Sequence, residues 1–419
     1  MKQLKMIGTV GGAISLALCW PLAVGQIGHN VISDGIAKLS SSAFQAEIVN
    51  YDRGYLSSNV QTRYQIIDEG LKQQLVADGL PTEFLVNSKV EHGLMSLTAH
   101  SSLVDTPDFP LSLTSTTQLN GNTQYSFALD SWHYATQDGQ MVVSTSPATL
   151  EGAVTVLGEI SYQLDVPSVE LDFASGEKMA LSQVSGQGAG KQDKGFWLGD
   201  QSLALSRLSV VDGFENSVLD VTNATYKFDS SINGELARFS SNHVIVLEKL
   251  LSNDGEVNDL NIDFTLGDLD SESLEKLTTL YQNNPALSEQ DIQQALPYIE
   301  SLFAKGFYLS MNKMALKIAS GEFESKWKIA VPEGTNDILQ DPSIILPALV
   351  GNVDTFISNQ LVEDFPFIKQ GIDELVIMEM MVQEVDGYRL QAEIKQGNLE
   401  FKNGKQLPLV ALLMPVMLG

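Results

Sequence analysis

The sequence predicts an α+β architecture: an N-terminal membrane helix followed by a large, mainly antiparallel, curved β-sheet body with a few packed helices. Three observations carry this reading. Met6 to Gly25 is a run of twenty uncharged, mostly apolar residues. From about Leu97 to Phe264, short alternating segments succeed one another between turn signals, with little helical periodicity. Apolar residues then recur every three or four positions between Leu274 and Phe303, which is the helical period.

As a helix rising about 1.5 Å per residue, the first stretch matches a hydrocarbon core of about 30 Å. Lys2 and Lys5 precede it and no acid occurs before Asp34, so the positive-inside bias holds the N-terminus in the cytoplasm and exports the rest of the chain. Residues 1–28 therefore read as a membrane anchor or signal segment, and residues 29–419 as one β-rich domain. The segment supports both of these readings. Ala23-Val24-Gly25 forms a small-x-small cleavage site, whereas the apolar run exceeds the usual core of a cleaved signal.

Charge and cysteine usage narrow the function classes. Acidic residues outnumber basic ones 52 to 25, a formal charge of −27 that repels nucleic acid and anionic headgroups, so no nucleic-acid partner is expected. Cys19, the single cysteine, lies inside the apolar run, which leaves the body without a disulfide or a thiol nucleophile.

Along the chain, Val31, Ile32, Ile36 and Leu39 mark a short amphipathic helix leaving the membrane. A β-hairpin comes next, with strands through Phe44 to Ile48 and Leu56 to Ile66 and a tight connection at Asp52-Arg53-Gly54. Asp68 to Asp78 reads as a helix stopped by Gly79 and Pro81, and Glu83 to Glu91 as a strand that breaks at His92-Gly93. The long meander is punctuated at Asn120-Gly121, Asp138-Gly139, Gly176 and Asn233-Gly234. Its cover is expected from two helices, one through Leu274, Leu277 and Tyr281 and one from Ser288, as N-cap, to a stop at Gly306. On the second helix Ile292, Ala295, Leu296, Ile299, Leu302 and Phe303 form the apolar side, with Gln290, Gln293, Gln294 and Glu300 toward water. Glu322 to Val331 alternates as a half-buried strand. Ile344 to Glu363 is predicted mostly helical, with a shorter helix over Phe365 to Leu375. A hairpin series over Tyr388 to Lys395 and Asn398 to Lys402 closes the pattern, with turns at Gln396-Gly397 and Asn403-Gly404.

Catalytic and metal motifs begin in several places and none is completed. Gly186-Gln187-Gly188-Ala189-Gly190-Lys191 lacks both the first glycine and the Ser or Thr of a phosphate loop, and reads as a flexible β-connection. The five histidines, His29, His92, His100, His133 and His243, show no zinc spacing. Asp259-x-Asn261-x-Asp263 starts like a calcium loop, but Phe264 stands where the turn needs Gly. Neither a cofactor nor a catalytic or metal-binding residue is therefore assigned.

Several stretches together resemble the YdgA and YihF family of bacterial envelope proteins, a domain of unknown function. These are Tyr51-Asp52-Arg53-Gly54-Tyr55-Leu56-Ser57-Ser58, the strand Asn87 to His92-Gly93, Gly199-Asp200-Gln201-Ser202-Leu203-Ala204-Leu205, and Gln396-Gly397-Asn398-Leu399 through Asn403-Gly404-Lys405. Leu56 replaces the Phe of the family hairpin, and Leu94 stands in place of a proline. The resemblance implies an inner-membrane anchor with a β-rich periplasmic body and no established activity. It singles out Tyr51, Arg53, Gly54, Ser57, Ser58, His92, Gly93, Gly397, Asn403 and Gly404 as family-motif positions with structural roles.

The function expected is that of a non-enzymatic envelope protein, held to the membrane by its N-terminal helix, whose body binds a protein partner. A lipid or other apolar ligand in a groove of the sheet is the alternative, and a secreted hydrolase without a recognisable motif is a third. A continuous apolar groove favours the second, and buried paired carboxylates in a concave site favour the third.

Overall fold

The computed structural model describes residues 44–411, apart from 54–56, 78–80, 93–95, 105–108, 284–287 and the single positions 119, 137 and 194. The apolar run Met6 to Gly25, the helix expected after it, Gly54, Gly93 and the tail beyond residue 411 lie outside the described residues. Among those described, no helix is long and apolar enough to cross a membrane. The chain falls into two units, Met1–Ala189 and Gly190–Gly419, with the division inside one strand.

The first unit is a meander whose first six described strands pair in sequence order. Strand β1 (Phe44–Arg53) pairs with β2 (Ser57–Ile66), β2 with β3 (Glu83–His92), and β3 with β4 (Ser96–Leu103). The ladder continues through β5 (Leu111–Gln118) to β6 (Thr123–Leu129). Two long strands then run with a break in each. β6 and β7 (Trp132–Ala135) make one, β8 (Met141–Thr145) and β9 (Ala148–Val154) the other, so β6 faces β9 and β7 faces β8. Both β8 and β9 pair with β10 (Glu159–Phe173). The second break falls at Ser146-Pro147, where proline has no N–H to give to a ladder.

The strands of the expected first hairpin pair antiparallel. Asp52 and Arg53, assigned to the turn, are still in the ladder, opposite Asn59 and Ser58. Helix α1 (Glu69–Ala77) follows β2 as expected, and Asp68 Oδ1 caps it by accepting from the Leu71 N–H at 2.7 Å.

The core of this unit is built around Tyr64, Ala46, Val86, Leu113 and Phe127. Small hydroxyl residues share the buried face, because the register sets Ser88 opposite Ser101, Ser101 opposite Leu113 and Leu113 opposite Phe127. Ser88 and Ser101 join through their hydroxyls at 2.7 Å, and Thr117 and Thr123 at 2.9 Å, which satisfies groups that burial would otherwise leave without water.

Strand β11 (Lys178–Asp193) contains the glycine-rich stretch Gly186 to Lys191. That stretch is strand interior with Gly186 and Gly188 buried, not the flexible connection the sequence suggested. At Gly190 the neighbouring strand leaves no room for a side chain: a Cβ there would come within 2.4 Å of the Leu198 carbonyl oxygen.

The second unit continues with long strands: β12 (Phe196–Val211), β13 (Ser217–Asn233), β14 (Arg238–Ser252) and β15 (Gly255–Asp270), each antiparallel to the next. Helices α2 (Ser271–Asn283) and α3 (Glu289–Lys305) intervene before β16 (Phe307–Ile318), which returns to pair with β15. Ser288 caps α3 in a reciprocal box with Asp291, and Gly306 stops it at φ 73°. β17 (Gly321–Val331) has the alternation expected, with Glu322, Glu324, Lys326 and Lys328 exposed.

Ile344 to Glu363 is where structure and sequence part. After a turn at Pro342–Ile344 and a one-turn helix α4 (Ile345–Ala348), the chain forms strand β18 (Val350–Ser358), and only α5 (Asn359–Asp364) is helical again. Val353, Phe356 and Ile357 fit a helical period, while Val353 and Ile357 also fit a strand alternation. The outcome follows from β17 on one edge and β20 (Gly387–Lys395) on the other, because two ladders outweigh a weak local preference. Helix α6 (Pro366–Ile377) and the short β19 (Val382–Gln383) bridge to β20. β21 (Asn398–Phe401) and β22 (Gln406–Pro408) end the sheet. Neither ladder closes into a barrel among the described residues.

The helices cover less than expected. Leu302 alone on α3 is fully buried, in a cluster with Phe196, Phe239 and Leu269 at one end of the strands, whereas Leu296 is half-buried and Ile292 exposed. The α2–α3 pair therefore caps the strand ends of the second unit and does not blanket the meander.

Candidate functional site

Register fixes which side chains share a face of the second unit. Leu203, Tyr226, Ile245, Ile262 and Met314 stand opposite one another in sequence across β12 to β16. The adjacent row runs Phe228, His243, Phe264, Met311 and Trp327 across β13 to β17. Four interstrand steps make each row about 19 Å long. Two packed clusters of this unit border the rows, one along the side toward α2 and α3 and one beyond the Trp327 end of the second row. Leu266, Ile232 and Phe307 join the cluster under α2 and α3, while Val353, Leu390 and Ile394 join one closed by Leu346, Leu349 and Met380. The rows themselves form a half-buried apolar strip, with Leu203 and Ile245 exposed.

One polar chain interrupts it. The His243 ring lies 5.0 Å from Phe228 and 6.4 Å from Phe264 between centroids, and stacks at 6.1 Å on Tyr226. Tyr226 Oη and His243 Nδ1 are 2.8 Å apart, and Ser241 Oγ lies 3.3 Å from Nε2. Burial lowers the pKa of His243 and raises that of Tyr226, so both are held neutral. A Ser–His contact invites comparison with hydrolases, but a tyrosine hydroxyl occupies the ring nitrogen that an orienting carboxylate would take.

On the side away from α2 and α3, the strip is bounded by a line of ladder irregularities. The pairing skips Asn223 between β12 and β14, and Asp259 opposite Glu248, with Asn223 and Asp259 left-handed at φ 50° and 52°. A shallow depression of about 610 Å³ opens beside them, where Val246, Leu316 and Phe323 meet Glu248, Asp259 and Lys317. Lys317 bridges Asp259 at 3.0 Å and Glu322 at 3.7 Å. Among the described residues no group of three or more His, Cys, Asp or Glu side chains could hold a metal ion.

The described family-motif positions lie elsewhere. Tyr51 pairs with Val60 and packs beside it, Ser58 is buried opposite Arg53 and Val90, Ser57 pairs with Glu91, and the His92 backbone pairs with Leu97. This group sits at one end of the first three strands. The others belong to the second unit. Gln396 and Gly397, at φ 51° and 76°, make the two-residue turn between Lys395 and Asn398, where both positions must be left-handed. Gly404, at φ 82°, ends the next turn, and Asn403 Nδ2 donates to the Glu379 carbonyl at 2.5 Å.

A family model described as a bacterial protein of unknown function (DUF945) matches residues 1–410. No curated protein and no solved structure matches the chain.

Proposed function

The chain belongs to this family of bacterial proteins of unknown function, whose membership brings no activity with it, and we propose that it is an envelope protein binding an extended apolar chain, such as the hydrocarbon of a lipid. The observation that carries the reading is the open strip from Leu203 to Trp327, whose apolar rows are left outside the packed clusters that border them. An apolar chain laid along it would remove half-buried Leu, Ile, Met and aromatic surface from water at about 25 cal/mol per Å².

The same proposal places the protein at the inner membrane through its N-terminal apolar stretch, with the body in the periplasm and no catalytic role. Within the family it groups with the YdgA and YihF proteins on the hairpin and turn residues described above. A protein partner at the strip is the second reading, supported by its aromatic and methionine content, which is typical of interface cores.

Purification of the full chain from membranes in mild detergent, followed by mass spectrometry, tests the proposal. Lipid should accompany the wild type and be lost from Ile245→Glu, which places a charge on the strip at an exposed position. Wild type free of lipid, or equal lipid on the variant, overturns it. A protein that leaves with the same substitution transfers the strip to the second reading.

A further inference from the structure

The segment joining β18 to β20 carries a second surface, independent of the strip. Helix α6 buries Ile368, Ile372, Leu375 and Val376 among Val362, Met381 and Tyr388. On its other side Phe367 is 78% exposed and Ile377 79% exposed, followed by Val382 at 64% and Val385 at 91%. These positions are held outward by backbone structure. Val382 pairs with Arg389 in the β19–β20 ladder, Asn359 Nδ2 donates to the Val385 carbonyl at 2.9 Å, and the Glu384 N–H donates to the Gly387 carbonyl.

The charges along this stretch are mainly acidic. Between Asn359 and Tyr388 there are seven acidic residues and one basic, Lys369. Lys369 is already paired with Asp373 at 2.7 Å, Arg389 with Asp354 and Glu384, and Lys405 with Glu379. Of the seven, Glu363, Asp364, Glu374 and Asp386 form no ion pair among the described residues.

We propose that this surface docks a basic amphipathic segment of a partner protein, its apolar side on Ile377, Val382 and Val385 and its lysines or arginines toward the surrounding carboxylates. Charge complementarity selects this occupant. A second copy of the chain would set these carboxylates against themselves, and an anionic membrane surface would be repelled likewise.

The test titrates the full-length protein with a fluorescent amphipathic helical peptide of lysine and leucine, at physiological ionic strength. The double variant Ile377→Ser/Val385→Ser should bind about tenfold more weakly than wild type. Phe214→Ser, which removes an equally exposed apolar residue from the β12–β13 turn, should bind as wild type does. A matched peptide of glutamate and leucine should not bind. Equal affinity for wild type and the double variant, with unchanged unfolding midpoints, overturns the proposal by reducing the interaction to bulk charge. A dimer that dissociates on the double substitution overturns it in favour of self-association.

Discussion

Lys305, the last residue of α3, places its ammonium 2.6 Å from the carboxylate of Asp270, the last residue of β15. The pair closes the two-helix excursion at its base. Asp270 is buried and also accepts from the N–H and hydroxyl of Ser273, at 3.0 and 2.6 Å, so one side chain caps α2 and pairs with the end of α3. Arg238 reinforces the same point by donating to the carbonyls of Lys305, Gly306 and Asp268.

Burial pushes the Asp270 carboxyl up, but the bonds from Lys305 and Ser273 outweigh it and hold the pKa below the ordinary 3.8. The stabilisation is then complete above pH 3.8 and is lost as pH falls through the lower folded value. Asp270→Asn should lower stability by about 1–2 kcal/mol at neutral pH, less than a fully buried pair because Lys305 remains half in water. Its difference from wild type should shrink in strong acid. Urea denaturation at the two pH values measures both effects.

Glu215 sits at φ 65° in the β12–β13 turn. Its N–H donates to the Asp212 carbonyl, the position filled by Gly158, Gly176 and Gly404 in hairpins of the same hydrogen-bond pattern. Only glycine takes this conformation without crowding its Cβ, so Glu215→Gly should stabilise the protein by about 0.5–1 kcal/mol. An upward shift of the urea midpoint is the expected result.

His243 titrates below the ordinary histidine value of 6.5 because it is partly desolvated among aromatic rings. The unfolded chain takes up this proton first as pH falls, so stability is unaffected above about pH 6.5 and declines below it, levelling off beneath the folded pKa. His243→Phe should flatten that part of the stability–pH curve. Denaturation midpoints of the two proteins between neutral and mildly acid pH check the sign.

The strands were legible because alternation survives on one-sided sheets: Phe323, Trp327, Ile329 and Val331 point one way and four charges the other. The apolar strip was not. Its rows join residues from separate strands, and bulges such as the one between Met311 and Met314 shift the register in ways that no single segment announces. Glu300 makes the same point for a helix. It lies on the polar side of α3, where the period points it toward water, yet its carboxylate accepts from the backbone N–H groups of Asp337, Ile338 and Leu339, at 2.5, 3.3 and 3.1 Å. Those donors come from a distant loop, so only the folded chain reveals them.

The sequence assigns Leu296 to a buried stripe on α3, which would make Leu296→Asp cost several kcal/mol. The structure moves that sensitivity to Leu302. Leu302 is enclosed with Phe196, Phe239 and Leu269, so a carboxylate there has no partner and no water, and Leu302→Asp should cost several kcal/mol. Leu296 is only half-buried, so its substitution by Asp should cost about 1–2 kcal/mol as the chain turns the carboxylate outward. Limited proteolysis should cleave the Leu302 variant rapidly within α2 and α3 and leave the Leu296 variant close to wild type. Equal sensitivity of the two would mean that the helix buries its whole apolar stripe in solution.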